Sequence, residues 1–303
     1  MKYRELKAAV PKTIADDFFL FLDDLKTEGY YEILFDSSIP KKPEEGIIRD
    51  DTFVNIYLSE TDLERELKVM IWLKAAAPES FFMESRTVET REFEEAYKEF
   101  YKPFVIGDRF ILIPTWEKES EEAKKLLETK DRIVMYMNPG MAFGTGHHET
   151  TKLMLAMIGK LIQKDMKILD MGCGSGILSI AAALSGASEI TAIDVDPNAV
   201  RATEHNWGEN SYPNLKEVRI LEGGFDHPAA WDRDYDFLLA NITYGVISQN
   251  MERIKKIRTD RYLFSGIITE RKQDSIELFK KYLGGKSVRE EEFNGWELIH
   301  WQK

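Results

Sequence analysis

The chain is short of cysteine, of basic charge and of long apolar runs. Among its 303 residues there is a single cysteine, Cys173. One cysteine excludes an internal disulfide and any metal centre built on several thiolates, and it fits a reducing compartment. No run of about 18 apolar residues occurs, so no transmembrane helix is predicted. The stretch from Met1 to Pro11 is mixed and charged, with no apolar signal core behind it. Lysine and arginine total 41 against 53 aspartates and glutamates, a formal net charge of -12. A broad phosphate-binding surface is therefore not expected, nor nucleic acid as a direct partner. These absences together predict a soluble cytoplasmic protein with no membrane association.

What is present is a 43% hydrophobic composition, ample for a core, in a chain long enough for two domains. Residues 1–84 read as strand, helix, strand, strand, helix, strand. The strands are Tyr3–Val10, Tyr31–Phe35, Phe53–Leu58 and Phe81–Thr87. The helices are Thr13–Glu28, with Phe18, Phe19, Phe21, Leu22 and Leu25 on one face, and Leu63–Ala77. That order predicts a small α+β domain of ferredoxin-like type. It carries 18 acidic against 11 basic residues, a net of -7, which suits a basic partner or simply a solvated surface.

Residues 85–130 read as a linker. A charged helix, Glu89–Tyr101, ends at Pro103 and precedes strands at Phe104–Ile106 and Phe110–Pro114. Residues 131–303 form the second domain. From Glu149 onward helices alternate with strands at Lys167–Asp170, Glu189–Asp194, Glu217–Leu221, Tyr235–Ala240 and Arg261–Gly266. Alternation predicts a mostly parallel sheet flanked by helices. Asn294-Gly295 between Ser287–Phe293 and Trp296–Gln302 signals a terminal antiparallel hairpin. The expected fold class is thus α/β, Rossmann-like, behind a small α+β domain.

The most specific motif is Asp170-Met171-Gly172-Cys173-Gly174-Ser175-Gly176, set between a strand and a helix. Dinucleotide loops favour G-x-G-x-x-G and bring a pyrophosphate to the helix N-terminus. Here the spacing is G-x-G-x-G, and Asp170 stands where it would repel a pyrophosphate. The same carboxylate attracts the ammonium and sulfonium of S-adenosylmethionine, so that cofactor is favoured over NAD. Asp194, 22 residues after Gly172, lies near the offset at which an acid accepts hydrogen bonds from ribose hydroxyls. Asp196 is read as the start of a helix whose first residue is Pro197, and Cys173 as a small loop residue.

A second glycine-bearing segment, Pro139 to Thr151, offers Phe143, Gly144, Thr145, His148, Thr150 and Thr151 as candidate cofactor contacts. Phe143 can stack, and the threonine hydroxyls can reach carboxylate oxygens; Thr150 and Thr151 can alternatively cap a helix over Lys152–Ile162. Adjacent His147 and His148 point in different directions, so no metal is predicted. Asn241 closes the fourth strand, where active groups sit in open α/β sheets. Its carbonyl can accept a hydrogen bond from an attacking amine, which makes it the candidate catalytic residue; a helix cap is the alternative.

These segments, with Tyr97–Pro103 and Ile113–Glu117, resemble the bacterial ribosomal protein L11 methyltransferase family (PrmA) over essentially the whole chain. The Pro-Gly-Met-Ala-Phe-Gly-Thr-Gly stretch is the most family-specific part. The resemblance implies methylation of lysine side chains and an N-terminal α-amine of that ribosomal protein. It implies that Thr151, Gly172, Asp194 and Asn241 bind cofactor or line the reacting centre, and that residues 1–84 recognise the substrate. Phe93 and Tyr97 stand where tryptophan is usual, and Ile242-Thr243-Tyr244 where smaller residues or leucine are common. A monomer is expected. Alternatives are methylation of another protein's lysine, methylation of an amide-type nitrogen (although the usual Asn-Pro-Pro-Tyr lacks its prolines here), and a noncatalytic ribosome-assembly protein that keeps the fold.

Overall fold

In the first strand, β1 (Lys2–Pro11), Leu6, Ala8 and Val10 recur with period two, and all three are buried. In the computed structural model, which describes residues 2–25, 27, 29–32, 51–59, 61–76, 81–89, 98, 101–129, 131–138 and 146–303, this strand is central. It pairs antiparallel with β3 (Asp51–Ser59) and β4 (Phe81–Glu89). With β2 (Gly29–Glu32) the order is β2-β3-β1-β4. Helices α1 (Ala15–Leu25) and α2 (Leu63–Ala76) supply the rest of the core: Phe18, Phe19 and Leu22 from α1 join Val69 and Leu73 from α2 over Val54, Ile56 and Leu58. Each such side chain contributes about 1.5–3 kcal/mol on burial. Phe21 stacks on Trp72 at 5.2 Å. The chain divides into two compact units, Met1–Glu99 and Phe100–Lys303.

Some boundaries differ from expectation. The first helix opens with a 3-10 turn, Lys12–Ile14, and ends at Leu25. Glu89 extends β4 rather than starting a helix. Of the expected linker helix Lys98 is helical, while 90–97 and 99–100, with Phe93 and Tyr97, lie outside the described residues.

The second unit opens on a three-stranded sheet, two of whose strands are those expected in the linker, while the third is unexpected. The hairpin β5 (Phe104–Ile106) and β6 (Phe110–Pro114) is joined by β7 (Ile133–Met137), parallel to β6. The crossover carries α3 (Glu121–Leu127), capped by the Ser120 hydroxyl accepting the Ala123 N–H at 3.1 Å. Helix α4 (Glu149–Leu161) leads into β8 (Lys167–Met171), α5 (Ile177–Leu184), β9 (Glu189–Asp194), α6 (Pro197–Gly208), β10 (Glu217–Glu222), β11 (Phe237–Asn241), α7 (Tyr244–Ile254), β12 (Arg261–Ile268) and α8 (Lys272–Leu283). The hairpin β13 (Lys286–Phe293) and β14 (Trp296–Gln302) ends the chain.

The seven strands lie in the order β10-β9-β8-β11-β12-β14-β13, parallel from β10 to β12, with β14 inserted antiparallel. Asn294 and Gly295 both have positive φ, 50° and 85°, as the tight hairpin turn requires. β8 and β11 are buried on both faces, which is why they read as apolar runs. No helix among the described residues is long and apolar enough to cross a membrane.

Candidate active site

From β8 the chain runs outward to β9 and β10, then returns to the other side of β8 as β11. That reversal opens a crevice at the carboxyl ends of β8 and β11, where ligands bind in such sheets. The register places Ala240 beside Met171 and Glu222 beside Asp194. Asp170, Asp194 and Asn241 therefore end neighbouring strands on one rim.

The glycine loop bends sharply back from β8. Gly172 and Gly176 have φ of 75° and 82°, which favour glycine, and each is also hemmed in. A Cβ on Gly172 would collide with Ile242 Cγ2, and one on Gly176 would lie 2.9 Å from Thr203 Cγ2. The Gly174 N–H donates to Asp194 Oδ2 at 2.9 Å, so the loop itself orients the second carboxylate. Asp194 Oδ1 accepts the Asp196 N–H at 2.9 Å. Asp196 in turn accepts the Asn198 N–H at 2.8 Å, the helix-starting role read for it. Cys173 is buried beside Thr203, with Sγ 3.3 Å from its hydroxyl, and burial pushes its thiol well above the usual range.

Asp170 is fully buried. Oδ2 accepts the Ser179 hydroxyl at 2.7 Å, and Oδ1 has no partner among the described residues. Burial raises this carboxyl to about 7, with the nearby Asp194 charge adding to the effect and the Ser179 bond opposing it. Asp194 is likewise raised, chiefly by burial. Two mutually repelling acids, one with an orphaned buried oxygen, make a cradle for a cation. An ammonium and a sulfonium relieve that repulsion, ribose hydroxyls can donate to Asp194, and a pyrophosphate would worsen the repulsion. The residues fit S-adenosylmethionine.

Asn241 is buried at the end of β11. Its Nδ2 donates to Thr151 Oγ1 at 3.4 Å, while Oδ1 is buried without a partner among the described residues. The cap position considered for Asn241 is held instead by Thr243, the residue before α7, whose side chain makes no cap bond. The adjoining Ile242 donates its N–H to the Ser265 carbonyl at 3.2 Å and packs on Gly172, linking this strand end to the glycine loop. Thr150 and Thr151 are fully buried inside the first turn of α4, three residues earlier than the expected helix start.

The cap of α4 is His148, whose Nδ1 accepts the Thr150 N–H at 3.1 Å and lies 2.8 Å from the Thr150 hydroxyl. The proton then sits on Nε2. His147 turns elsewhere, stacked on Tyr101 at 4.6 Å and edge-on to Phe104 at 4.0 Å. Burial lowers its imidazole to about 4, so it is neutral. Phe143, Gly144 and Thr145 lie outside the described residues.

The structure thus joins Asp170, Gly172, Gly174, Gly176 and Asp194 in one cluster and Thr151 with Asn241 in another. Sequence reasoning passed over the loop after β10. There the Gly223 N–H donates to the Asp194 carbonyl at 2.8 Å, and Gly224 lies against exposed Val195, extending the rim past Asp194. The Gly223-Gly224 pair at a strand end was the available signal.

Comparison with known proteins follows the same lines. Residues 2–303 match the family model described as ribosomal protein L11 methyltransferase (PrmA). A ribosomal protein L11 methyltransferase of Leptospira interrogans is 52% identical over 305 residues, covering 100% of this chain and 99% of that protein. One from Ruminiclostridium cellulolyticum is 39% identical over 196 residues, covering 64% of this chain and 59% of that protein. The crystal structure of a ribosomal protein L11 methylase from Lactobacillus delbrueckii subsp. bulgaricus superposes with a TM-score of 0.56. It covers 67% of this chain and 99% of its own at 22% identity, a likeness of fold.

Proposed function

The chain belongs to the ribosomal protein L11 methyltransferase (PrmA) family, and on that premise we propose that it transfers methyl groups to lysine side chains and the N-terminal α-amine of ribosomal protein L11. S-adenosylmethionine supplies the methyl group, made electrophilic by its sulfonium. Asp170 would hold the cationic amino end, Asp194 the ribose, and the backbone of Gly172, Gly174 and Gly176 the close approach between them.

The observation that carries this reading is the buried Oδ1 of Asn241, which has no partner among the described residues. It can accept an N–H of the incoming amine and aim the nitrogen lone pair along the line of attack. A carboxamide does not take up a proton near neutral pH, so Asn241 orients the amine rather than deprotonating it. A lysine costs about 4–5 kcal/mol to present as neutral amine at pH 7, an α-amine only about 1 kcal/mol. A desolvated rim lowers the larger cost by disfavouring ammonium.

Residues 1–84 serve as the substrate-recognition part, and the bridging stretch 85–130 leads into the methyltransferase part, its strands β5 and β6 already belonging to the second unit. Supporting this are the compact unit Met1–Glu99 that contains residues 1–84 and the net charge of -7 on those 84 residues, suited to a basic ribosomal protein. The protein acts as a cytoplasmic monomer on protein rather than nucleic acid, in keeping with the overall charge of -12.

The test is transfer of labelled methyl groups to purified L11, followed by mass spectrometry of the acceptor. Label on lysine and the α-amine is expected, with the KM for L11 rising as salt is added and cofactor affinity steady. No label on L11, or label on another acceptor in a ribosomal extract, rejects the assignment.

A further inference from the structure

Helix α6 carries two polar residues, Thr203 and Asn206, on one face, and a third, Asn210, follows just beyond its end. All three look inward. The Thr203 hydroxyl donates to the Gly174 carbonyl at 2.9 Å. Asn206 is fully buried and uses both ends of its carboxamide. Its Nδ2 donates to the Ser175 carbonyl in the glycine loop at 2.9 Å, and its Oδ1 accepts the Asn138 N–H at 2.7 Å. Asn138 follows β7 directly and precedes the second glycine-bearing segment in the sequence. Asn210 meets the backbone of Tyr136 in β7 as a neighbouring strand would: its Oδ1 accepts the N–H at 2.9 Å and its Nδ2 donates to the carbonyl at 2.8 Å. Lys118 adds to this clamp, bonded to Glu209 at 2.7 Å and seated 4.7 Å over the Tyr136 ring.

Helix stability does not call for this arrangement. Asparagine is a poor helix former, and a buried carboxamide is tolerated only with its hydrogen bonds made. The two partners of Asn206 lie 31 and 68 residues away in sequence, one in the cofactor loop and one at the threshold of the other candidate cofactor segment. We propose that Asn206 is a positioning residue that sets the glycine loop against the end of β7, so that the cofactor cradle is assembled before ligand arrives. Asn210 anchors β7 and does not reach the loop. The inference rests on the assignment of the glycine loop to S-adenosylmethionine.

The discriminating measurement is calorimetric titration of S-adenosylhomocysteine into the wild type, Asn206→Ala, Asn206→Asp and Asn210→Ala, with melting curves of each ligand-free protein. Asn206→Asp keeps the volume and the acceptor for Asn138 but loses the donor to Ser175, so it remains informative should the alanine variant not fold. Loss of one buried bond of this kind corresponds to roughly tenfold in affinity. The expected result is a Kd about tenfold weaker for Asn206→Asp, a KM for S-adenosylmethionine raised to match, and a kcat at saturation near that of the wild type. Asn210→Ala should lower the melting temperature more than it changes the Kd. An unchanged Kd in folded Asn206→Asp overturns the proposal, as does a fall in kcat with KM untouched. Failure of the wild type to bind removes the cofactor assignment beneath it.

Discussion

The two rims of the parallel sheet are built on opposite terms. At the end where the strands begin, charged groups find opposite charge. Lys167 and Arg233 each lie 2.9 Å from Glu189, Arg233 also pairs with Glu217 at 2.9 Å, and Arg261 with Asp236 at 3.3 Å. At the end where the same strands finish, two buried acids stand near each other, and Asp170 Oδ1 and Asn241 Oδ1 have no partner among the described residues. Unmet hydrogen-bonding capacity in a buried place is costly, and beside the glycine loop at a topological switch point it is what a ligand site looks like before the ligand is in it. The opposite rim spends its charged groups on one another and is left for stability.

The largest expected effect is on the unsatisfied rim. Asn241→Ala should fold and bind S-adenosylmethionine much as the wild type does, yet lose roughly 100-fold or more in kcat, the size of effect that misplacing a reactant produces. Single-turnover transfer to L11 measures it, and undiminished turnover would remove Asn241 from the reaction.

Next in size is the response of Asp170 to pH. Its carboxyl is raised to about 7 from the ordinary 3.8. Between those values the folded protein keeps a proton that the unfolded chain has released. The stability contributed by this group in the ligand-free protein is therefore full below 3.8 and lost as pH rises through 7. Cofactor binding has the opposite sense, because a cation favours the ionised carboxylate. Affinity for S-adenosylmethionine should weaken as pH falls below about 7, by up to about tenfold per pH unit, with a proton released on binding near pH 6. Asp170→Asn should bind more weakly, lose that slope, and gain ligand-free stability relative to the wild type at pH 8. Calorimetry in buffers of different ionisation enthalpy reads the proton; a flat profile in the wild type contradicts the assignment.

The smallest effect belongs to the satisfied rim. Arg233→Ala removes partners from Glu189 and Glu217, yet exposed pairs contribute little. A melting temperature lower by about 2–4 °C, with kcat and cofactor Kd unchanged, is the outcome that keeps the two rims distinct. A loss of activity at constant stability would show that they are coupled.

Much of this was legible in the residues themselves. Asp170 with three alternating glycines announced a turn built for a cationic ligand, and Asn294-Gly295 announced the hairpin. The alternation of apolar strands with amphipathic helices announced the parallel sheet. Other features left little local trace. The strand Ile133–Met137 follows a charged helix and has no alternation of its own to display, since it forms by pairing with Phe110–Pro114. The inward side chains of Thr203 and Asn206, and of Asn210 just past the helix end, read as an ordinary polar surface until the loop and strand they touch are in place. His148 reads in the sequence as a candidate cofactor contact, and its role as a helix cap shows only in the fold.

Sequence alone determined the features whose physics is local. Backbone freedom at glycine, strand and helix period, turn chemistry and the charge of the motif all depend on residues close together along the chain. Only the tertiary structure decided which distant groups meet and how dry their surroundings are. It brought Asn241 to Thr151 across 90 residues and Asn206 to both of its partners. It also raised the Asp170 carboxyl by burying it. Hydrogen bonds across such separations, and the desolvation that shifts a titration, exist only once the chain has closed around them.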